Sequence, residues 1–209
     1  MSMIAIIDYG AGNIRNVLRA LTHLGYDACI TADRAAIRSA HAVVLPGVGA
    51  AGDTVRALRA RGLDDLVRET IEYDRPFLGV CIGLQVLFDS TAEGGRQACL
   101  GIIPGTVEKL PAGLKVPHMG WNQVQQRLAS PVLADVPDGA NFYFVHSYYV
   151  VPEDEGIVAA QTNYGIEFCS AIARGNLFAT QFHPEKSGDL GLRIYGNFLK
   201  ATLGTHSRH

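Results

Sequence analysis

The chain has 209 residues, 48% of them hydrophobic and 18% charged, which is enough apolar surface to fill a core and argues against wholesale disorder. A formal net charge of −2, with no dense Lys/Arg cluster, makes nucleic acid a poor candidate as the main ligand. No apolar run reaches bilayer length, MSMIAIIDYG lacks the marks of a signal peptide, and Cys29, Cys81, Cys99 and Cys169 form no CxxC pair, so reduced thiols in a cytoplasmic protein are expected, with no metal, cofactor or membrane partner.

In chain order, MIAIIDYG reads as a buried parallel strand closed by a turn. Asn13 then stands where a helix cap belongs. The apolar stripe Ile14, Val17, Leu18, Leu21 and Leu24 follows, and Gly25 stops it. DACIT and AVVLPGVG read as further strands, Asp53 as the cap of a helix through Leu58, and Leu63, Leu66, Val67 and Ile71 continue at helical spacing. PFLGV is the next strand, with a helix expected over Ile82–Phe88. Strands alternating with helices imply a parallel sheet. After about Ser90 the strand-like segments NFYFVHSYYVV, GIVAAQTNYG and FCSAIARGN lie close together, which implies antiparallel pairing. A last helix carries Leu192, Ile194, Tyr195, Phe198 and Leu199. The expected fold is therefore α/β, a central, mostly parallel sheet flanked by helices with an additional antiparallel β region. No repeat or linker divides it, so one domain over 1–209 is expected.

LGVCIGLQ places Cys81 in a G-x-C-x-G pattern between a strand and a helix. A nucleophile there would sit on a strained turn at the carboxyl edge of the sheet, the cysteine counterpart of the G-x-S-x-G elbow. The following helix would direct its N-terminus at the sulfur and favour the thiolate, and the N–H of Ile82 would face an oxyanion. A cysteine packed as a small hydrophobe fits the five-residue pattern equally well. For Cys29, Cys99 and Cys169, which lack such glycines, that packing role is the expectation.

A thiolate nucleophile needs a base, and the base needs an orienting group. ATQFHPEKS offers His183 and Glu185, two apart in what reads as an extended segment, so both would face one side. Pro184 restricts His183 to extended backbone. Gln85, one helical turn after Cys81, could share a ligand with it.

The pairing of GVCIGLQ with FHPE resembles the class I (triad) glutamine amidotransferases. Within them, IIDYGAGNIRNV, LPGVGAAGD, VPHMGWN, YFVHSYYV and ATQFHPEKSG, in that order, resemble the glutaminase subunits of imidazole glycerol phosphate synthases. The resemblance spans nearly the whole chain and implies their flavodoxin-like fold. It also implies a triad of Cys81 as nucleophile, His183 as base and acid, and Glu185 as third member. It assigns Gly47, Val48 and Gly49 to the oxyanion loop, and Gln85, Glu93, His146, Ser147 and Tyr148 to the side that holds the amino-acid end of L-glutamine. Finally it implies a (β/α)₈-barrel cyclase partner, HisF, with Asn13, Asn16, Pro117, Met119, Trp121 and Lys186 as interface candidates. Trp121, the single tryptophan, reads equally well as core. A cysteine peptidase, a glutaminase serving another synthase and a catalytically silent binding subunit are the alternatives. PHMGWN with HPEKS and the intact Cys81, His183 and Glu185 set argue against them.

Overall fold

The structure, a computed structural model, describes residues 3–10 and 12–203. Ala11 of the first motif and the two ends of the 1–209 unit lie outside the described residues. The apolar runs of the first half are the strands β1 (Ile4–Ile7), β2 (Ala28–Thr31), β3 (Ala42–Leu45) and β4 (Phe77–Val80). Between them come helices α1 (Ile14–His23), α2 (Arg34–Ser39), α3 (Ala51–Ala60) and α4 (Asp64–Glu72), and after β4 a single turn, α5 (Ile82–Gln85). The second half adds β5 (Ser90–Thr91), β6 (Gln97–Ala98), β7 (Gly105–Lys109), β8 (His118–Gln126), β9 (Ala140–His146), β10 (Tyr148–Pro152), β11 (Val158–Asn163), β12 (Glu167–Arg174), β13 (Leu177–Thr180) and the closing helix α6 (Gly188–Leu203).

Five strands run parallel in the order β2-β1-β3-β4-β13. This is the doubly wound arrangement, in which ligands bind beyond the carboxyl ends of the strands. Every residue of β1, β3, β4 and β13 is buried, as a sheet covered on both faces requires, while the edge strand β2 is only half-buried. Past β13 the sheet turns antiparallel through β12, β10 and β7. A branch from β12 continues through β11 and β8 to β9. The segments β7 and β8, absent from the sequence reading, lie here.

The helix α1 buries Ile14, Val17, Ala20 and Leu21 against the sheet and packs Leu18 and Leu24 more loosely. It ends as the glycine predicts. Gly25 has φ 82°, its N–H donates to Thr22 O at 2.9 Å, and that of Tyr26 donates to Leu21 O at 3.1 Å, a Schellman closure. Its start differs from expectation: Asn13 holds the cap position with φ 64° but makes no side-chain cap hydrogen bond. The helix α3 begins at Ala51, so Asp53 lies inside its first turn instead of capping it. The helix after Cys81 stops at Gln85 rather than Phe88.

The register of β3, β4 and β13 positions the site. Leu45 pairs with Gly79, and Thr180 with Val80. Neighbouring parallel strands therefore end nearly level, and the chain emerging from each meets the others at one edge.

Candidate active site

Cys81 leaves β4 with φ 55° and ψ −106°. A non-glycine residue held in such backbone costs about 1–3 kcal/mol and persists only where its surroundings enforce it. The enforcement is visible. The N–H of Cys81 donates to Thr180 O on the neighbouring strand at 2.7 Å. A Cβ on Gly83 would overlap Leu45 O, and one on Gly79 would lie 2.8 Å from Gly83 O. The two glycines of G-x-C-x-G thus let the end of β3, the end of β4 and α5 close on one another. Because α5 is one turn long, its macrodipole is small; what it offers the site is the N–H groups of Ile82 and Gly83, which a first turn leaves without helical partners.

His183 follows β13 in extended backbone, φ −104° and ψ 96°. Its Nδ1 lies 2.7 Å from Glu185 Oε1, with the two side chains 1% and 2% exposed. A carboxylate only accepts, so Nδ1 carries hydrogen and donates. The other nitrogen, Nε2, has no hydrogen-bond partner. Burial works against the imidazolium, but the charge of nearby Cys81, and then the charge and hydrogen bond of Glu185, outweigh it, and the His183 pKa is pushed up to about 10. The meeting of His183 and Glu185 is not the strand alternation expected. Pro184–Lys186 forms a 3₁₀ turn, and that turn brings the carboxylate back under the ring. Glu185 Oε1 also accepts from Asn13 Nδ2 at 3.1 Å, and its Oε2 from the Tyr195 hydroxyl at 3.5 Å. Asn16 Nδ2 in turn donates to Asn13 Oδ1.

These groups border a cavity of about 380 Å³. Its lining is Val48, Gly49, Cys81, Ile82, Gln85 and Glu93 from the first half of the chain, and Pro117, Val145, His146, Ser147, Tyr148, His183 and Lys186 from the second. Gly47 lies beneath, packed so closely that a Cβ would fall 2.6 Å from that of Ile82. Tyr9, buried at the end of β1, braces this loop by donating to Pro46 O at 3.0 Å. Glu93 Oε2 accepts from the N–H of Ala51 at 2.8 Å, so the cap of α3 comes from forty-two positions away rather than from Asp53.

Two buried glutamines orient the floor. Gln85 Nε2 donates to Tyr148 O and to Gln181 Oε1, both at 2.9 Å. Both its hydrogens are then used, its Oε1 is left unpartnered, and Gln85 offers a ligand an acceptor only. Gln181 Nε2 donates to Cys81 Sγ at 3.5 Å. Gln181 was missed in the sequence although it stands two before His183, the same spacing that singled out Glu185.

Comparison with known proteins shows the family and the fold. Residues 5–201 match the family model for glutamine amidotransferase class-I. The imidazole glycerol phosphate synthase subunit HisH of Dehalococcoides mccartyi strain CBDB1 is 55% identical over 202 residues, 97% of this chain and 98% of the relative. That of Chloroflexus aurantiacus is 53% identical over 203 residues, 95% of each. The chain belongs to the class-I glutamine amidotransferases, in the HisH family. Among solved structures, that of PurLQS from Thermotoga maritima shares the fold, with a TM-score of 0.76 and 18% identity over 95% of this chain and 98% of the other.

In this amidotransferase the interface candidates fall into two groups. Asn13 and Asn16 stand behind Glu185. Pro117 and Lys186 line the cavity, while Met119 is 61% and Trp121 58% exposed, so the tryptophan is not core. Its ring meets Tyr143 edge-on at 6.2 Å, and Lys186 Nζ sits 5.5 Å from the Tyr143 centroid. All four cysteines are free thiols. Burial pushes Cys99 up to about 11 and Cys169 up to about 12, which leaves both as packed hydrophobes at neutral pH. Among the described residues no cluster of His, Cys, Asp and Glu could hold a metal, and no helix is long and apolar enough to cross a membrane.

Proposed function

We propose that the chain acts as one domain, the cytoplasmic glutaminase subunit of an imidazole glycerol phosphate synthase. It hydrolyses the side-chain amide of L-glutamine and passes the ammonia to a HisF cyclase, which converts PRFAR to imidazole glycerol phosphate and AICAR in histidine biosynthesis. The observation that carries this reading is the free Nε2 of His183, held by Glu185 on one side and bordering with Cys81 a single cavity, in a chain of the HisH family.

The chemistry follows from the groups present. The Cys81 thiolate attacks the carboxamide carbon, and the electron pair displaced onto oxygen is held by N–H groups of Ile82 and of the Gly47–Gly49 loop. One such donor is worth about 2.7–4 kcal/mol of barrier. The His183 imidazolium gives its Nε2 proton to the nitrogen as the C–N bond breaks, so that ammonia departs and the glutamyl group stays on Cys81 Sγ as a thioester. Neutral His183 then takes a proton from water, whose oxygen attacks the thioester carbon. Collapse releases glutamate and the sulfur, while Glu185 holds Nδ1–H throughout. Gln85 Oε1 and Glu93 supply acceptors for the ammonium end of the substrate. Free ammonia in neutral water is mostly protonated and no longer nucleophilic, which favours delivery through a sealed interface.

Glutamate production by the purified chain mixed with HisF and PRFAR tests the reading. Cys81→Ala is expected to remain folded, judged by circular dichroism, and to form no glutamate. Full turnover by that variant would refute the assignment. Equal rates with and without the cyclase would remove the partner from the mechanism.

A further inference from the structure

His118 takes no part in the chemistry described above, yet it is 3% exposed on β8, the strand that also carries the exposed Met119 and Trp121. Cross-strand pairing sets it opposite His146, and its Nδ1 lies 2.9 Å from His146 Nε2. His146 Nδ1 lies 2.9 Å from Tyr148 O. At the far end, Asn122 Nδ2 is 3.2 Å from His118 Nε2.

The direction of every bond in this chain follows from its fixed ends. A carbonyl can only accept, so His146 Nδ1 donates to Tyr148 O. In a neutral ring its Nε2 must then accept, which makes His118 Nδ1 the donor. His118 Nε2 is left as an acceptor, and the Asn122 amide fills it. Burial supports neutral rings, holding His118 down to about 4 and His146 down to about 3. The carbonyl on which this chain ends is the one that also receives Gln85 Nε2 at 2.9 Å, a bond that fixes the amide of a residue lining the cavity with its Oε1 left unpartnered.

We infer that His118 is a positioning residue of the glutamine site, which transmits the placement of β8 through His146 and the Tyr148 carbonyl to Gln85. The inference rests on the glutaminase reading and deepens it. The same strand presents the exposed Met119 and Trp121, so a partner that shifts β8 also shifts the acceptor that meets the substrate. The ring itself packs between Tyr164, centroid 3.9 Å away, and Phe144 at 4.9 Å, and this allows its two properties to be separated.

His118→Phe keeps a ring in the stack but donates nothing to His146. His118→Asn loses the ring but places Nδ2 where Nδ1 stood, so the donor survives. In the complex with the cyclase, the glutamine KM of His118→Phe is expected to rise roughly three- to ten-fold, the effect of one lost hydrogen bond, with a smaller change in kcat. His118→Asn should recover the parental KM although its melting temperature falls further. The His146 Nε2 resonance should move in His118→Phe and stay in His118→Asn. A parental KM in His118→Phe, or equal impairment of both variants, overturns the inference and leaves the glutaminase reading intact. If the parent complex itself forms no glutamate, the glutaminase reading falls and this inference with it.

Discussion

Asn13 is a capping residue type at a helix start that does not cap. Its side chain spans 172 positions of sequence to reach Glu185 Oε1 at 3.1 Å, and Asn16 steadies it from one turn up the helix. Local propensity places an asparagine there; the demand of a buried carboxylate for donors redirects it. Cys81 first, and then the same carboxylate, raise the titration of His183 against the pull of burial. Its pKa, raised from 6.5 to about 10, means that the imidazolium contributes stability fully below pH 6.5, and that this contribution is lost as pH rises toward 10. Glu185→Gln removes the charge while leaving an acceptor, so the His183 midpoint should fall and the loss of stability should begin at lower pH. Side-chain NMR titration and denaturant midpoints measured from pH 6 to 10 check this; an unmoved midpoint would show that Glu185 does not tune the base. Gln181 belongs at this scale too. Fully buried, it joins the amide of Gln85 to the sulfur of Cys81, and its spacing of two from His183 is the one local mark of that role.

The elbow between β4 and α5 depends on two absent side chains. Gly83→Ala would drive a methyl group into the Leu45 carbonyl, a backbone atom with no rotamer to yield. Overpacking of this kind costs about 1–3 kcal/mol, and because the displaced element carries Cys81 and the Ile82 N–H, glutamine turnover should fall far more than stability. Parental kcat in a folded Gly83→Ala protein would remove the close approach from the mechanism. Helix α3 makes a related point. Its N-terminus is served by Glu93, which also faces the cavity. Glu93→Ala should lower stability by about 1 kcal/mol, the usual worth of an N-cap, and raise the glutamine KM. Glu93→Gln keeps an acceptor for Ala51 but not the charge, so stability should return while KM stays high. Thermal melts and initial rates on the same preparations separate the two roles.

The whole molecule places its chemistry where neighbouring parallel strands end level, at one edge of a sheet covered on both faces. The antiparallel half supplies Pro117, His146, Ser147 and Tyr148 to the cavity at that edge, and its strand β8 exposes Met119 and Trp121. Trp121→Ala should leave the fold nearly unchanged, within about 0.5 kcal/mol as for other exposed sites. If Trp121 anchors the cyclase, affinity should fall by about 2 kcal/mol or more, the range of an interface hot spot. Calorimetric titration of HisF into parent and variant measures it, and equal affinities would exclude the tryptophan from the contact.

Much of this was legible in the order of residues alone. The fully buried strands announce themselves as unbroken apolar runs, the Schellman glycine stops α1 where expected, and G-x-C-x-G with H-P-E marks residues that border one cavity. These are short-range signals, written within a few positions of where they act. What only the tertiary structure decided is long-range: that Glu93 rather than Asp53 caps α3, that Asn13 serves Glu185, that Glu185 reaches His183 through a 3₁₀ turn, that His118 meets His146, and that Gln181 joins Gln85 to Cys81. Hydrogen-bond partners in a buried site are chosen by which donors and acceptors the fold leaves unsatisfied, and that choice is made only when strands far apart in sequence come together.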